Sequence, residues 1–489
     1  MPDNRKTDSN LSQRSLDAHS WMGLLAAAFL YLLCFSGVLT VVGQELERWE
    51  QPGIDEFSDY SPEFINQAYR RFIKAHPEES EHIHVVFPRE AIPRIVVEND
   101  HRAFFVNHDG SIGAEEHAPW IKMTIALHKH LHLPLTIGTL ITGIIATLLL
   151  VLIISGILAH KTIFKEAFRL RLGRSKLTQS IDLHNRLSVW GLPFHLMIAL
   201  TSCYFGLVGL LLTIAAGLFH DGDQTHMIEQ VFGSEPELVK QAAVVDVKAS
   251  IENLRNIEPG AEPIFMTIHE AGSENQFVEF YLMKDQRLIY SENFRFDAAG
   301  NFISRTQPDE LPIGSQILLS TYRLHFGDYA GFSIKLLYLI LGAALSYIAV
   351  SGVNIWLSKR RHEDVINLLW ASYVWSVPLA FALSFFLSET LGVNPYWSFW
   401  SSLTVATFAA PIWKKLKPEF AFSTALQLLT VVFCAISALG FAMVNIEHST
   451  RADYWSMIAV LLIATSLSFA CYWKRTPGRD AENSTFAAQ

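Results

Sequence analysis

Residues 135–159, LTIGTLITGIIATLLLVLIISGILA, contain no charged side chain. A hydrocarbon core of about 30 Å takes about 20 mostly apolar residues per helix, so this run reads as a membrane span. Outward from it, seven more runs of similar character lie at 19–43, 188–219, 333–357, 366–388, 396–413, 422–444 and 455–473. The last four are joined by short loops and make one C-terminal unit, 366–473. Composition agrees: of 489 residues, 50% are hydrophobic and only 17% charged, well to the apolar side of a soluble domain. The expected fold is a mainly α membrane protein with eight transmembrane helices.

The polar remainder sets the orientation. The loop 160–186, opening HKTIFKEAFRLRLGRSK, is rich in Lys and Arg, as are Lys359-Arg360-Arg361, Lys414-Lys415-Leu416-Lys417 and Lys474-Arg475. By the positive-inside rule these face the cytoplasm. An even number of spans then places the tails 1–18 and 474–489 inside, and the long segments 45–130 and 220–330 together outside. The first run is too long for a signal-peptide core and is followed by VVGQELERWE without a small-residue cleavage pattern, so it reads as a retained anchor. Tryptophans near the span ends, such as Trp21, Trp397, Trp400, Trp455 and Trp473, fit interfacial belts.

Several function classes drop out. The net charge of −9 and the lack of a basic tract argue against nucleic acid as a partner. Cys34, Cys203, Cys434 and Cys471 all lie in apolar runs, which removes thiol chemistry from the polar segments. No H-E-x-x-H, paired Cys motif, G-x-S-x-G or G-x-G-x-x-G is present. A transporter is disfavoured because the apolar helices lack the carboxylates and broken-helix Pro/Gly pairs of an ion path.

The chain repeats itself. AHSWMGLL, containing His19, is followed by Ser36-Gly37; LHNRLSVWGL, containing His184, is followed at the same distance by Thr201-Ser202. ALHKHLHLPLTIG, containing His128, leads to Ser155-Gly156, and RLHFGDYAGF, containing His325, leads to Ser351-Gly352. The outer segments correspond too. SPEFINQAYRRFIKAHP reads as a helix followed by strands in HIHVVFP, PRIVVEND and RAFFVNHDGSI; VDVKASIENLRNI is followed by PIFMTIHE, QFVEFYLM and RLIYSENF, with a hairpin signal at Asp297–Asn301. Each segment is a small α+β domain between two spans.

Four of the 19 histidines then form two layers, His19 with His184 at the cytoplasmic helix ends and His128 with His325 at the outer ends. Neutral imidazoles on neighbouring helices can supply both axial ligands of a haem, so two b-type haems are expected. His130 and His132 compete with His128 for the outer layer, and His195, three turns inside its helix from His184 and on the same face, could replace His184 or relay a proton. Arg323, Lys129 and Arg186 sit beside candidate ligands and could pair with haem propionates. His82 and His84 share one strand face, but two ligands do not close a metal site; no metal site apart from haem iron is expected.

In AHSWMGLL, ALHKHLHLPLTIG, VLIISGILAHKTIFK, SIDLHNRLSVWGLPFHLMIAL and YRLHFGDYAGFSIKLLYLILG the chain resembles the PepSY-associated transmembrane-helix family of bacterial inner-membrane proteins, over about residues 10–360. The two α+β segments resemble its periplasmic PepSY domains. Members include ferric-siderophore reductases carrying b-type haems, so the resemblance implies haem ligation by His19 and His184 on the cytoplasmic side and by His128 and His325 on the periplasmic side. It departs from the pattern at Thr201-Ser202-Cys203 and in the helices after residue 362.

The expected function is a dihaem membrane oxidoreductase. Electrons would enter from quinol or a separate cytoplasmic reductase and reduce a periplasmic ferric siderophore. The alternative is a non-redox membrane protein whose PepSY-like domains bind a partner protein or peptide.

Overall fold

The computed structural model describes residues 4–444 apart from 78–79, 90–91, 161, 169–174, 225–243, 261, 284–286, 290, 308–309 and 418–420. The expected span 455–473 and tail 474–489, with Cys471, Trp455, Trp473 and His448, lie outside these residues. The elements in chain order are α1 (Asn4–Val41), α2 (Gly43–Glu50), α3 (Pro62–Ala75), β1 (His82–Val86), β2 (Val96–Asn99), β3 (Ala103–Val106), β4 (Ile112–Glu115), α4 (Pro119–His130) and α5 (Leu135–Ala159). Then come α6 (Ile163–Glu166), α7 (Lys176–Trp190), α8 (Leu192–Phe219), α9 (Val247–Ile257), β5 (Pro263–His269), β6 (Phe277–Leu282), β7 (Glu292–Phe296) and β8 (Phe302–Thr306). The chain continues as α10 (Ile313–Phe326), α11 (Gly331–Ser358), α12 (Val365–Leu391), α13 (Pro395–Phe408), α14 (Ala410–Leu416) and α15 (Phe422–Val444).

Six of these helices, α1, α5, α8, α11, α12 and α15, are long and apolar enough to cross a membrane. Residues 4–18 of the expected tail are helical and run on into the first span as part of α1. The expected span 396–413 is divided into α13 and α14, which part at Ala409 with Pro411 in the first turn of the second helix. Proline lacks the N–H that would carry the ladder across this joint. The same chemistry divides the third expected span. α7 ends at Gly191, which separates it from α8, whose second residue is Pro193.

The two outer segments are not separate. Their strands form one antiparallel sheet in the order β4-β3-β2-β1-β5-β6-β7-β8, in which β1 and β5 pair from His82↔His269 to Val86↔Phe265. β7 begins at Glu292, toward the end of the stretch RLIYSENF. The turn at Asp297 then leads into β8, closed by the Asp297 N–H on the Asn301 carbonyl at 2.9 Å, with Gly300 at φ +85°. α3 and α9 are the repeat partners: Ser61 caps the first and Asp246 the second by accepting a backbone N–H. Their apolar faces share one core, in which Ile65, Phe72 and Val85 of the first segment meet Ile251, Met266 and Phe280 of the second. A half-sheet of four strands buries less apolar surface than the joined one, which is the driving force for the merger.

A second core joins the helices. α1 packs against α12 through reciprocal bonds, the Tyr31 hydroxyl donating to the Val374 carbonyl and the Tyr373 hydroxyl to the Ala28 carbonyl, each at 2.8 Å. Glycines set the closest approaches: a Cβ on Gly206 of α8 would lie 2.4 Å from Gly143 Cα of α5, and one on Gly138 would lie 2.2 Å from the His130 carbonyl oxygen. Gly138 and Gly143 are thus close-packing positions.

Candidate functional site

The histidines His128 and His325 do not sit on the long helices. Each occupies a shorter helix that precedes one. α4 ends when Leu131 and His132 turn left-handed, at φ 55° and 58°, and Pro134 precedes α5. α10 ends at Gly327, φ +69°, before α11. These breaks let each short helix lean against a neighbouring long one, which brings the rings of His128 and His325 to a centroid separation of 6.3 Å. At the other end of the bundle His19, inside α1, meets His184 on α7 at 6.5 Å.

These separations are chemically informative. A metal–imidazole bond of about 2 Å, plus about 1 Å from nitrogen to ring centre, puts two imidazoles on opposite sides of one metal about 6 Å apart between centroids. Each ring is oriented through Nδ1. His19 Nδ1 lies 3.0 Å from the Leu152 carbonyl and 3.3 Å from Ser155 Oγ; His128 Nδ1 lies 2.9 Å from the Leu33 carbonyl and 3.3 Å from Ser36 Oγ. His184 Nδ1 meets Ser351 Oγ at 2.8 Å, and His325 Nδ1 meets Thr201 Oγ1 at 2.9 Å.

Those four hydroxyls already give their protons to carbonyls of their own helices, Leu152, Leu33, Ile348 and Ile198. The Leu152 and Leu33 carbonyls require Nδ1–H on His19 and His128, and with the Ser351 and Thr201 protons on their own helix carbonyls the same tautomer is assigned to His184 and His325, leaving Nε2 its lone pair. Among the described residues Nε2 of these four makes no hydrogen bond to protein. The Ser-Gly dipeptides of the repeat now have a role: the hydroxyl orients the ring and the glycine makes room for it. A Cβ on Gly37 would fall 2.8 Å from His128 Cε1, on Gly156 3.2 Å from His19 Cε1, and on Gly352 3.6 Å from His184 Cε1. In the sequence alone these dipeptides mark only the duplication.

The competing histidines are placed elsewhere. His132 spends both nitrogens, Nε2 on the Met123 carbonyl and Nδ1 on the Trp400 indole N–H, each at 2.8 Å. His130 leaves a buried Nδ1 without a partner. His195 is 2% exposed, and its Nε2 is buried and unpartnered; the ring packs on Gly191, whose added Cβ would lie 2.5 Å from Nε2. No second histidine ring stacks against it among the described residues.

Arg323 is buried and donates to the carbonyls of Asp328 and Arg287 and to the Met283 sulfur, so it ties α10 to the link after β6. Lys129 is exposed on α4. Arg186 donates to the Ala167 carbonyl at 3.2 Å and lies over the Trp190 ring.

The C-terminal helices brace the outer layer. Trp120 of α4 donates its indole N–H to Ser384 Oγ and the Phe381 carbonyl of α12, and His132 is fixed by Trp400 of α13. α4 lacks an N-cap side chain of its own; Glu50 of α2 supplies one, its carboxyl oxygens accepting the Trp120 and Ile121 N–H groups at 2.7 and 2.8 Å.

On the sheet, His82 and His84 share a face with His269, which is opposite His82. His82 pairs with Asp100, His84 with Thr267 and His269 with Glu279. Among the described residues no group of three or more His, Cys, Asp or Glu side chains is disposed to hold a metal ion. Glu279 is desolvated, which raises its pKa, but the His269 bond, the Arg295 charge and the Tyr281 hydroxyl outweigh that and hold it down at about 2.

Six membrane-length helices, with two close pairs of histidine rings among the helices, define a multi-pass membrane protein. The chain belongs to the family described as the PepSY-associated TM region, which matches residues 16–359. It is also 23% identical over 255 residues to the uncharacterized protein PA4219 of Pseudomonas aeruginosa, an alignment covering 50% of this chain and 64% of that relative. The chain therefore spans less than two thirds of that relative's length.

Proposed function

We propose that the chain is a dihaem b-type oxidoreductase of the bacterial inner membrane that passes electrons outward to a periplasmic ferric siderophore. The observation that carries this reading is the two histidine pairs, 6.5 and 6.3 Å apart, each with Nδ1 tied down and Nε2 free. His19 and His184 would hold one haem, His128 and His325 the other. Bound there, haem iron supplies reversible one-electron chemistry.

The protein's own contribution is orientation and exclusion of water. Ser155, Ser36, Ser351 and Thr201 fix the ligand tautomers, and the apolar helices keep the layers dry. The residues His19 and Ser36, seventeen apart on α1, put the layers about 25 Å apart along the helix axis at about 1.5 Å per residue. That spacing suits a route across a hydrocarbon core of about 30 Å. With the basic loops inside, the joined sheet would be periplasmic and the helix pair α13–α14 would add a seventh span; the run 455–473, expected as the eighth, lies outside the described residues.

At the outer face one electron converts bound iron(III) to iron(II), which grips hard oxygen ligands less strongly, so no acid–base residue is required for release. Quinol or a separate cytoplasmic reductase supplies the electrons. The test is the double variant His128→Ala, His325→Ala. It should keep one haem per chain and lose ferric-siderophore reduction; retention of two haems would sink the ligand assignment.

A further inference from the structure

The outer pair is held unequally. His128 Nδ1 has two acceptors, a main-chain carbonyl at 2.9 Å and Ser36 Oγ at 3.3 Å. His325 Nδ1 has one among the described residues, the Thr201 hydroxyl at 2.9 Å. That hydroxyl has the Met197 and Ile198 carbonyls of α8 within donating reach at 2.9 and 3.1 Å, and with its one proton directed to them it presents a lone pair to the ring. Phe205, one turn further along α8, meets the same ring edge-on at 5.3 Å. Thr201 also stands where the other three repeats have serine, and it is followed by Ser202 in place of glycine.

We propose that Thr201 is the positioning residue of the outer site, setting the tautomer and the donor strength of His325, and through them the reduction potential at that layer. This rests on the haem reading above. An acceptor on Nδ1–H pushes electron density toward Nε2 and makes the imidazole a stronger ligand for the ferric state. Valine keeps the shape of threonine and removes the acceptor, leaving a buried N–H unpaired. The ferric state is then less favoured and the potential rises. Ser36→Ala has a smaller effect, because the Leu33 carbonyl remains.

The experiment is a spectroscopic redox titration of the full-length protein in detergent, with haem counted per chain, for wild type, Thr201→Val, Thr201→Ser and Ser36→Ala. In Thr201→Val the reduced-to-oxidised ratio of the outer haem at a fixed potential should rise about three- to tenfold, roughly 30 to 59 mV for one electron. Thr201→Ser should restore the wild-type value, and Ser36→Ala should move it less than Thr201→Val does. If Thr201→Val loses the outer haem while Thr201→Ser keeps it, the positioning role is supported; loss from both overturns it. An unchanged potential in Thr201→Val, or an equal shift in Ser36→Ala, also overturns it with the haem reading intact. Wild-type protein without haem would refute the haem reading itself.

Discussion

Ser36 of α1 and His128 of α4 are ninety-two positions apart in the chain, yet the serine hydroxyl lies 3.3 Å from the imidazole Nδ1. The next residue, Gly37, is where that ring rests. One dipeptide therefore both orients a candidate ligand and leaves it space, and the arrangement recurs at Ser155-Gly156 and Ser351-Gly352.

Gly37→Ala puts a methyl 2.8 Å from His128 Cε1. Overpacking of this kind costs about 1 to 3 kcal/mol, against about 0.5 to 1 kcal/mol gained in helix propensity. The variant should lose most of one haem and keep the other. At Gly352 the nearest ring atom would be 3.6 Å away, an ordinary contact, so Gly352→Ala should keep both. Haem stoichiometry of the two purified variants checks the contrast.

His184 and His195 make opposite predictions. His184 faces His19, whereas His195 is buried with an unpartnered Nε2. An apolar replacement removes the unmet Nε2 of His195 but also leaves the Leu341 backbone acceptor of its ring unpaired, and these two effects oppose each other. His195→Leu should therefore retain two haems and melt within about 1 kcal/mol of wild type, while His184→Ala should retain one. Absorption spectra and thermal unfolding distinguish the two.

Glu50 acts on the outer layer from α2. Removing a cap costs about 0.5 to 2 kcal/mol. In Glu50→Ala the amides at the start of α4 should exchange faster, and the layer containing His128 should bind haem more weakly than the layer containing His19. Hydrogen exchange over residues 119–124, followed by haem titration, is the check.

The layering of histidines was legible because the duplication repeats each imidazole at the same place in both halves. Ser36, Ser155, Ser351 and Thr201 were visible only as spacing marks, since nothing in one strand of sequence says which distant ring a hydroxyl will meet. The breaks at Leu131–Pro134 and Gly327–Ala330 were signalled by Pro134 and Gly327, but the apolar runs hid the fact that His128 and His325 lie on separate short helices. The merging of the two outer segments was not legible at all. β1 and β5 carry ordinary strand patterns, and pairing between them is a long-range choice made by the shared core of Phe72, Met266 and Phe280.

The seam of the sheet should respond to pH. His84 is half-buried, opposite Thr267. Burial first, then the neighbouring His82 and His269, hold it below the ordinary imidazole value of 6.5. A folded state that binds fewer protons than the unfolded one keeps its full stability above 6.5 and loses it as pH falls toward the lower folded value. Amide protection in β1 and β5, corrected for intrinsic exchange, should fall from about pH 7.5 to about pH 5.5. His84→Gln should flatten that dependence.

The central claim is that the histidine pairs hold haem. A reduced-minus-oxidised absorption spectrum of the detergent-purified protein from haem-replete cells, with haem quantified per chain, tests it most directly. The account predicts b-type bands and two haems per chain. A colourless protein would contradict it and favour a role for the joined sheet in binding a partner protein or peptide.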